Sequence, residues 1–297
     1  MGKFTTTIAH KNTTTEAEFV VVENHRQIAN LLSSTTSQEL GLISLALATS
    51  RTGVTDNIFQ GFGKIDGVKI KLHIDKDVTP ITQTHRRVPF HIRKDVEKEI
   101  ERLEQDDIIE KVSGPTPWIS PIAAVPKKAG GVRLCVDMRA ANKAIKRERH
   151  PMPTTEEIIH EMNGSTVFSR LDLKQVFHQL ELDEESRYIT TFSTHVGLRR
   201  YKRLMFGVNS APEMFQHTMR ELLQGIPGAL NFIDDIIVYG TTKQQHDRNL
   251  KQVIQTLQSR GVKLNESKCE FGTEKLVFWD MSLEKKEKLP SQRKSNR

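Results

Sequence analysis

Cysteine is nearly absent. Cys135 and Cys269 are the only two in 297 residues, and they form no CxxC pair. No disulfide framework or zinc site can be read from them, which fits a reducing compartment. No run of about eighteen apolar residues occurs, so the sequence offers no membrane span. The first residues lack the basic, apolar and small-residue succession of a secretory signal, and we expect an intracellular chain, in cytoplasm or nucleus. Met1-Gly2 with Thr6 fits the myristoylation pattern, a short one, and a single acyl chain anchors only weakly. Apolar residues reach only 36%, below the globular average, so any core lies under a large solvated surface.

What is abundant is positive charge. Lys and Arg number 44 against 37 Asp and Glu, a surplus of seven. Such a surplus suits polyanionic partners, because each phosphate contact releases counterions. It equally suits ordinary solubility, and motifs must decide.

Along the chain, residues 4–22 alternate like a hairpin, with a polar turn at Lys11-Asn12. Glu39-Leu40 reads as a short helix stopped by Gly41, and 46–57 as a small, polar linker. Residues 91–111 predict a charged helix with Val96, Ile100 and Leu103 on one face. Ile122–Val125 and Val132–Val136 predict two strands around the basic tip Pro126-Lys127-Lys128-Ala129-Gly130-Gly131. Thr154 with Glu157, and Ser210 with Glu213, form capping-box patterns. Val167–Leu173, Leu230–Ile233 and Ile236–Tyr239 read as apolar strands. Leu250, Val253, Ile254 and Leu257 mark a helix ended by Gly261. The mixture predicts an α+β fold.

The sharpest feature is Asp234-Asp235, two carboxylates between strand-forming runs. Adjacent like charges repel and are costly to desolvate, and a divalent cation relieves that cost. Asp-Asp is also ordinary turn chemistry. Asp172, at the end of a second strand, tips the balance. Carboxylates from two strand ends are what two metal ions need to clamp the attacking and leaving oxygens of a phosphoryl transfer.

Several segments then occur in order: Val132-Arg133-Leu134-Cys135-Val136-Asp137-Met138-Arg139 with Asn142-Lys143, Asp172 with Phe177, Phe206-Gly207 with Ala211-Pro212, Phe232-Ile233-Asp234-Asp235, and Gly261–Asn265 with Lys268-Cys269-Glu270-Phe271. The series resembles the reverse transcriptase of gypsy-type long-terminal-repeat retrotransposons, over roughly residues 55–280. The resemblance implies polymerase fingers and a palm whose antiparallel sheet carries the aspartates. It implies that Asp172, Asp234 and Asp235 hold two Mg²⁺ ions, with Mn²⁺ as a substitute. It gives Lys128 and Arg133 the triphosphate of an incoming deoxynucleoside triphosphate, and Leu173 the backbone along it. Phe177 stands at the position that excludes a ribose 2′-OH, and Phe206 and Gly207 beneath the nascent base pair. The implied activity is DNA synthesis on a primer-template of RNA or DNA.

Gly2–Leu42 resembles the C-terminal half of a retroelement aspartic protease, but no Asp-Thr-Gly or Asp-Ser-Gly exists to supply the catalytic carboxylate pair. The expected organisation is a protease-like β-rich remnant at 1–45, linker and lead-in at 46–84, fingers and palm at 85–283, and a basic, disordered tail at 284–297. Three departures stand against the pattern. Phe232 replaces a commoner Tyr, and Gln175-Val176 replaces a small residue and Gly, where Val176 is expected to crowd the nucleotide. Phe278-Trp279-Asp280-Met281 brings an acid where a primer-gripping hairpin has Gly. Two readings follow: a polymerase module, favoured by the intact aspartates, or a catalytically impaired truncated remnant with weak nucleic-acid binding, favoured by Asp280 and by the expected lack of thumb, ribonuclease H and integrase. A host-retained binding protein is a third.

Overall fold

The computed structural model describes residues 2–10, 13–21, 56–127, 130–278 and 281–284. The chain divides into two compact units, Met1–Thr52 and Gly53–Arg297. In the first, β1 (Gly2–His10) and β2 (Thr13–Val21) form the expected antiparallel hairpin, in register from Gly2↔Val21 to His10↔Thr13. The short helix expected before Gly41 lies outside the described residues, as do most of the expected linker at 46–57, Lys128, Trp279-Asp280 and the tail after Glu284. Among the described residues no helix is long and apolar enough to cross a membrane.

The second unit runs β3 (Lys69–Ile70), α1 (Arg93–Gln105), β4 (Ile109–Lys111), β5 (Ser120–Pro126), β6 (Val132–Val136), α2 (Thr155–Glu161), β7 (Val167–Asp172), β8 (Glu181–Leu182), the short α3 (Glu184–Arg187), β9 (Phe192–Thr194), β10 (Gly197–Tyr201), α4 (Ala211–Leu223), β11 (Ala229–Phe232), β12 (Asp235–Gly240), α5 (Lys243–Ser259), β13 (Glu270–Thr273), β14 (Lys275–Phe278) and β15 (Met281–Glu284). Five strands form one sheet in the order β4-β10-β9-β5-β6, with β5 and β9 parallel. Four form a second sheet, β11-β12-β7-β13, antiparallel throughout.

In α1, Val96, Ile100 and Leu103 are buried, the face that the spacing predicts. The helix stops well short of residue 111. Asp107 adopts φ 57°, a left-handed turn, and the chain leaves to pair β4 with β10. Of the two capping boxes, Thr154 with Glu157 is real. Ser210 with Glu213 is not: the Ser210 hydroxyl is buried beside Met214 Sδ, 3.7 Å away, and Arg147 holds the Glu213 carboxylate.

Part of the segment read as linker and lead-in is core. Ile58, Ile65 and Leu72 are buried. Ile65 N–H donates to Gln179 O at 2.8 Å and Lys64 N–H to Gly261 O at 3.1 Å. Three buried aliphatic side chains are each worth about 1.5–3 kcal/mol of transfer free energy, enough to make this strap structural. The four-stranded sheet is buried through Leu171, Ile236, Ile237 and Val238. Away from its Asp-bearing end, Phe168, Leu230, Ile237 and Tyr239 pack on Ile158 and Met162 around α2.

Candidate active site

Pairing of β7 with β12 sets Asp235 directly across from Asp172, with Ile237 across from Arg170 and Tyr239 across from Phe168. Strand alternation puts each of these pairs on one face, so the carboxylates end a face that also carries Phe168, Tyr239, Ile237 and Arg170. Asp234 precedes Asp235 in the turn that joins β11 to β12. Its carbonyl accepts from Leu173 N–H at 3.1 Å, and the Asp172 carbonyl accepts from Asn265 N–H at 2.8 Å. Residues 172, 234 and 235 therefore lie at one sheet end.

The turn is conformationally unusual. Ile233 has φ 53°, a left-handed conformation that a β-branched residue adopts only at a cost of about 1–3 kcal/mol. Helix α4 reaches it through one side chain. Gln216, fully buried, accepts from Ile233 N–H at 2.9 Å through Oε1 and donates through Nε2 to Asn231 O at 2.8 Å.

Burial, and then the neighbouring Asp172, push the Asp234 carboxyl above its ordinary range. Burial pushes Asp235 up to about 6; Arg170 opposes the shift, and Asp172 and Asp234 add to it. Two cations border the cluster. Arg170 is held by Glu270 at 2.5 Å, and Lys268 Nζ stands 3.5 Å from Asp172 Oδ2. Among the described residues no three His, Cys, Asp or Glu side chains are gathered closely enough to cage an ion alone. The three aspartates expected to hold two ions thus share a sheet end without closing into such a cage.

Phe177 is buried and meets Phe206 edge-on, with centroids 4.7 Å apart, and Phe215 of α4 at 6.1 Å. Phe206 is 55% exposed, an open aromatic beside a buried one. Gly207 has φ 101°, and a Cβ there would meet the Met138 side chain at 3.4 Å. Asn142 fastens this loop: its Nδ2 donates to Gly207 O at 2.7 Å and its Oδ1 accepts from Asn209 N–H at 3.1 Å. Leu173 is buried. Val176 is also buried, and the residue before it, Gln175, is left-handed at φ 46°. Arg133 is exposed on the β5–β6 hairpin, opposite Val125. Lys128 lies outside the described residues.

Sequence reasoning gave no role to Gln216, Asn142, Arg170 or Lys268. Gln216 interrupts the apolar run Met214-Phe215 of a buried helix face, a visible but ambiguous signal.

Comparisons with known proteins bear on this arrangement. The prototype foamy virus protease-reverse transcriptase superposes with a TM-score of 0.72 over 91% of this chain and 37% of that one, at 21% identity. The foamy viral protein in complex with double-stranded DNA gives 0.67 over 89% of this chain and 46% of that one, at 22% identity. These likenesses show the fold, the mixed helix-and-sheet architecture of a reverse transcriptase. A Pol polyprotein from transposon 412 of Drosophila melanogaster is 33% identical over 74% of this chain and 18% of its own length. An uncharacterized protein of Caenorhabditis elegans is 32% identical over 73% of this chain and 17% of its own. Residues 125–290 match the model of the reverse transcriptase (RNA-dependent DNA polymerase) family. The chain belongs to that family. It spans less than a fifth of the length of these two curated relatives.

Proposed function

We propose that this chain is the fingers-and-palm module of a retrotransposon polymerase that adds deoxynucleotides to a primer annealed to RNA or DNA. The observation that carries the reading is the pairing of Asp235 with Asp172, with Asp234 in the adjoining turn. The relatives named as retrovirus-related Pol polyproteins support the retrotransposon assignment, and we extend it to the gypsy type on the ordered motifs above. We read residues 1–45 as protease-derived on the hairpin and on Glu39-Leu40-Gly41-Leu42.

The donor set fits two divalent ions: hard carboxylate oxygens, crowded and partly desolvated. Asp172, Asp234 and Asp235 would hold them, and bound ions would supply Lewis acidity at the α-phosphorus and at both displaced and attacking oxygens. In the reaction the primer 3′-oxygen forms a bond to the α-phosphorus as its proton leaves to solvent. The bond to the bridging oxygen breaks, and pyrophosphate departs. The chain's own contribution is positioning. Phe206 and Gly207 support the base pair, Phe177 walls the sugar and excludes a 2′-OH, and Lys128 and Arg133 bring charge to the triphosphate.

Primer extension by the purified chain tests this. Activity should require Mg²⁺ or Mn²⁺, and Asp234→Asn should lower it about 10²–10³-fold, the scale for loss of one electrostatic contact in a transition state. Extension left undiminished by Asp234→Asn would refute the assignment.

A further inference from the structure

We propose that Gln216 is the positioning residue for the Asp-bearing turn, and that α4 thereby fixes the turn against the aromatic wall of the nucleotide pocket. This rests on the carboxylate reading above and names a residue that reading does not use.

Three observations converge on Gln216. First, the turn is strained where the carboxylates need precision: Ile233, at φ 53°, immediately precedes Asp234. A β-branched residue left to itself leaves that region, so something must hold it. Second, the Ile233 N–H donates to Gln216 Oε1, at 2.9 Å. The same carboxamide donates to Asn231 O at 2.8 Å, and Asn231 Nδ2 returns a bond to Gln216 O at 3.4 Å. The amide grips the hairpin on both sides of Phe232. Third, the grip is sealed: Gln216 and Asn231 are both buried. A buried amide that uses both ends on one turn resists rotation, because any other rotamer leaves polar groups unpaired.

The neighbour in sequence gives the grip its consequence. Phe215 packs edge-on against Phe177, so consecutive residues of α4 touch the sugar wall and the metal-bearing turn. A rigid helix that contacts both sets their separation. Loss of the Gln216 contacts should let the turn relax and spread the carboxylates without dissolving the fold.

Binding of Mn²⁺ alone, followed by the loss of the free-ion paramagnetic resonance signal, tests this in the full chain. Four proteins are compared: wild type, Asp234→Asn, Gln216→Met, and Gln216→Met combined with Ile233→Gly. Met nearly matches Gln in volume but removes both hydrogen bonds. Gly at 233 accepts positive φ without strain and should need no latch. We expect Asp234→Asn to abolish binding and Gln216→Met to weaken it at least about tenfold, the usual scale for residues behind metal ligands. The double variant should return close to wild type. Gln216→Met binding as tightly as wild type overturns the proposal alone. So does a double variant that is as weak as Gln216→Met, or that fails to fold, because Gln216 then serves general stability. Wild-type protein that binds no Mn²⁺, or binds it no better than Asp234→Asn, overturns the carboxylate reading and this proposal with it.

Discussion

At the residue scale, the carboxylates are a case of function working against stability. Asp235 is half-buried and shares its sheet end with two other carboxylates, and its pKa rises from 3.8 to about 6. Between these values the folded chain retains a proton that the unfolded chain has released. Stability therefore falls as pH rises from about 4 to 6 and stays lower above that. Two units correspond to about 3 kcal/mol for a sealed group. Solvent screening at this partly open site reduces that to on the order of 1 kcal/mol. Asp235→Asn should accordingly raise the melting temperature at pH 8 and leave it unchanged below pH 4. Mg²⁺ should raise the wild-type melting temperature more at pH 8 than at pH 5, and scanning calorimetry across that range measures both. A variant less stable than wild type at pH 8 would show that the carboxylate is compensated by partners in the fold. Gln216 belongs to the same trade. One buried amide holds a strained turn whose conformation has no local reason to persist.

At the element scale, the strap before α1 is bound to the loop after α5 by closeness that a side chain would prevent. A Cβ on Gly261, at φ 73°, would lie 2.3 Å from Lys64 O. Gly261→Ala should thus combine a left-handed penalty of about 1–2 kcal/mol with forced separation of the strap. Gly225, at φ 83°, has nothing within 4 Å of such a Cβ, so Gly225→Ala should meet only the backbone penalty. Denaturant midpoints of the two variants separate these contributions, and equal losses would mean that the strap is loosely held. This strap was also the part least legible in sequence. Ile58 and Ile65 sit among Gly, Lys and Asp with no local alternation, whereas Val68, Ile70, Leu72 and Ile74 alternate with Lys69, Lys71 and His73, a strand period that went unread. The aspartate-bearing strands were legible because Ile236–Tyr239 is an apolar run that can only be buried and Leu230 and Phe232 flank a single polar residue. The capping pattern at Ser210 misled because Glu213 faces Arg147 across 66 residues, a partner that no local spacing reveals. Gln216 escaped notice because one polar residue in an amphipathic helix looks like its solvated face until the hairpin is seen against it.

At the scale of the whole molecule, the two units carry different burdens. Residues 1–52 hold Lys3, Lys11, Arg26 and Arg51 against Glu16, Glu18, Glu23 and Glu39, with no Asp, so that unit is neutral. The entire surplus of seven positive charges lies in residues 53–297. So do all the site residues and the core from Ile58 onward. Nucleic-acid affinity governed by counterion release depends on the number of phosphates neutralised, and its logarithm falls linearly with that of salt concentration. Deleting residues 1–52 removes no net charge and none of that core. The shortened chain should therefore bind a primer-template duplex with the same salt slope as the full chain, measured by fluorescence anisotropy. Its melting temperature should match within about 2 °C, less than the shift that 1 kcal/mol produces in a domain of this size. A flatter salt slope would mean that basic residues of the first unit touch phosphate despite its neutrality. A large fall in melting temperature would mean that the first unit shares the second unit's core, and would end its reading as a separable remnant.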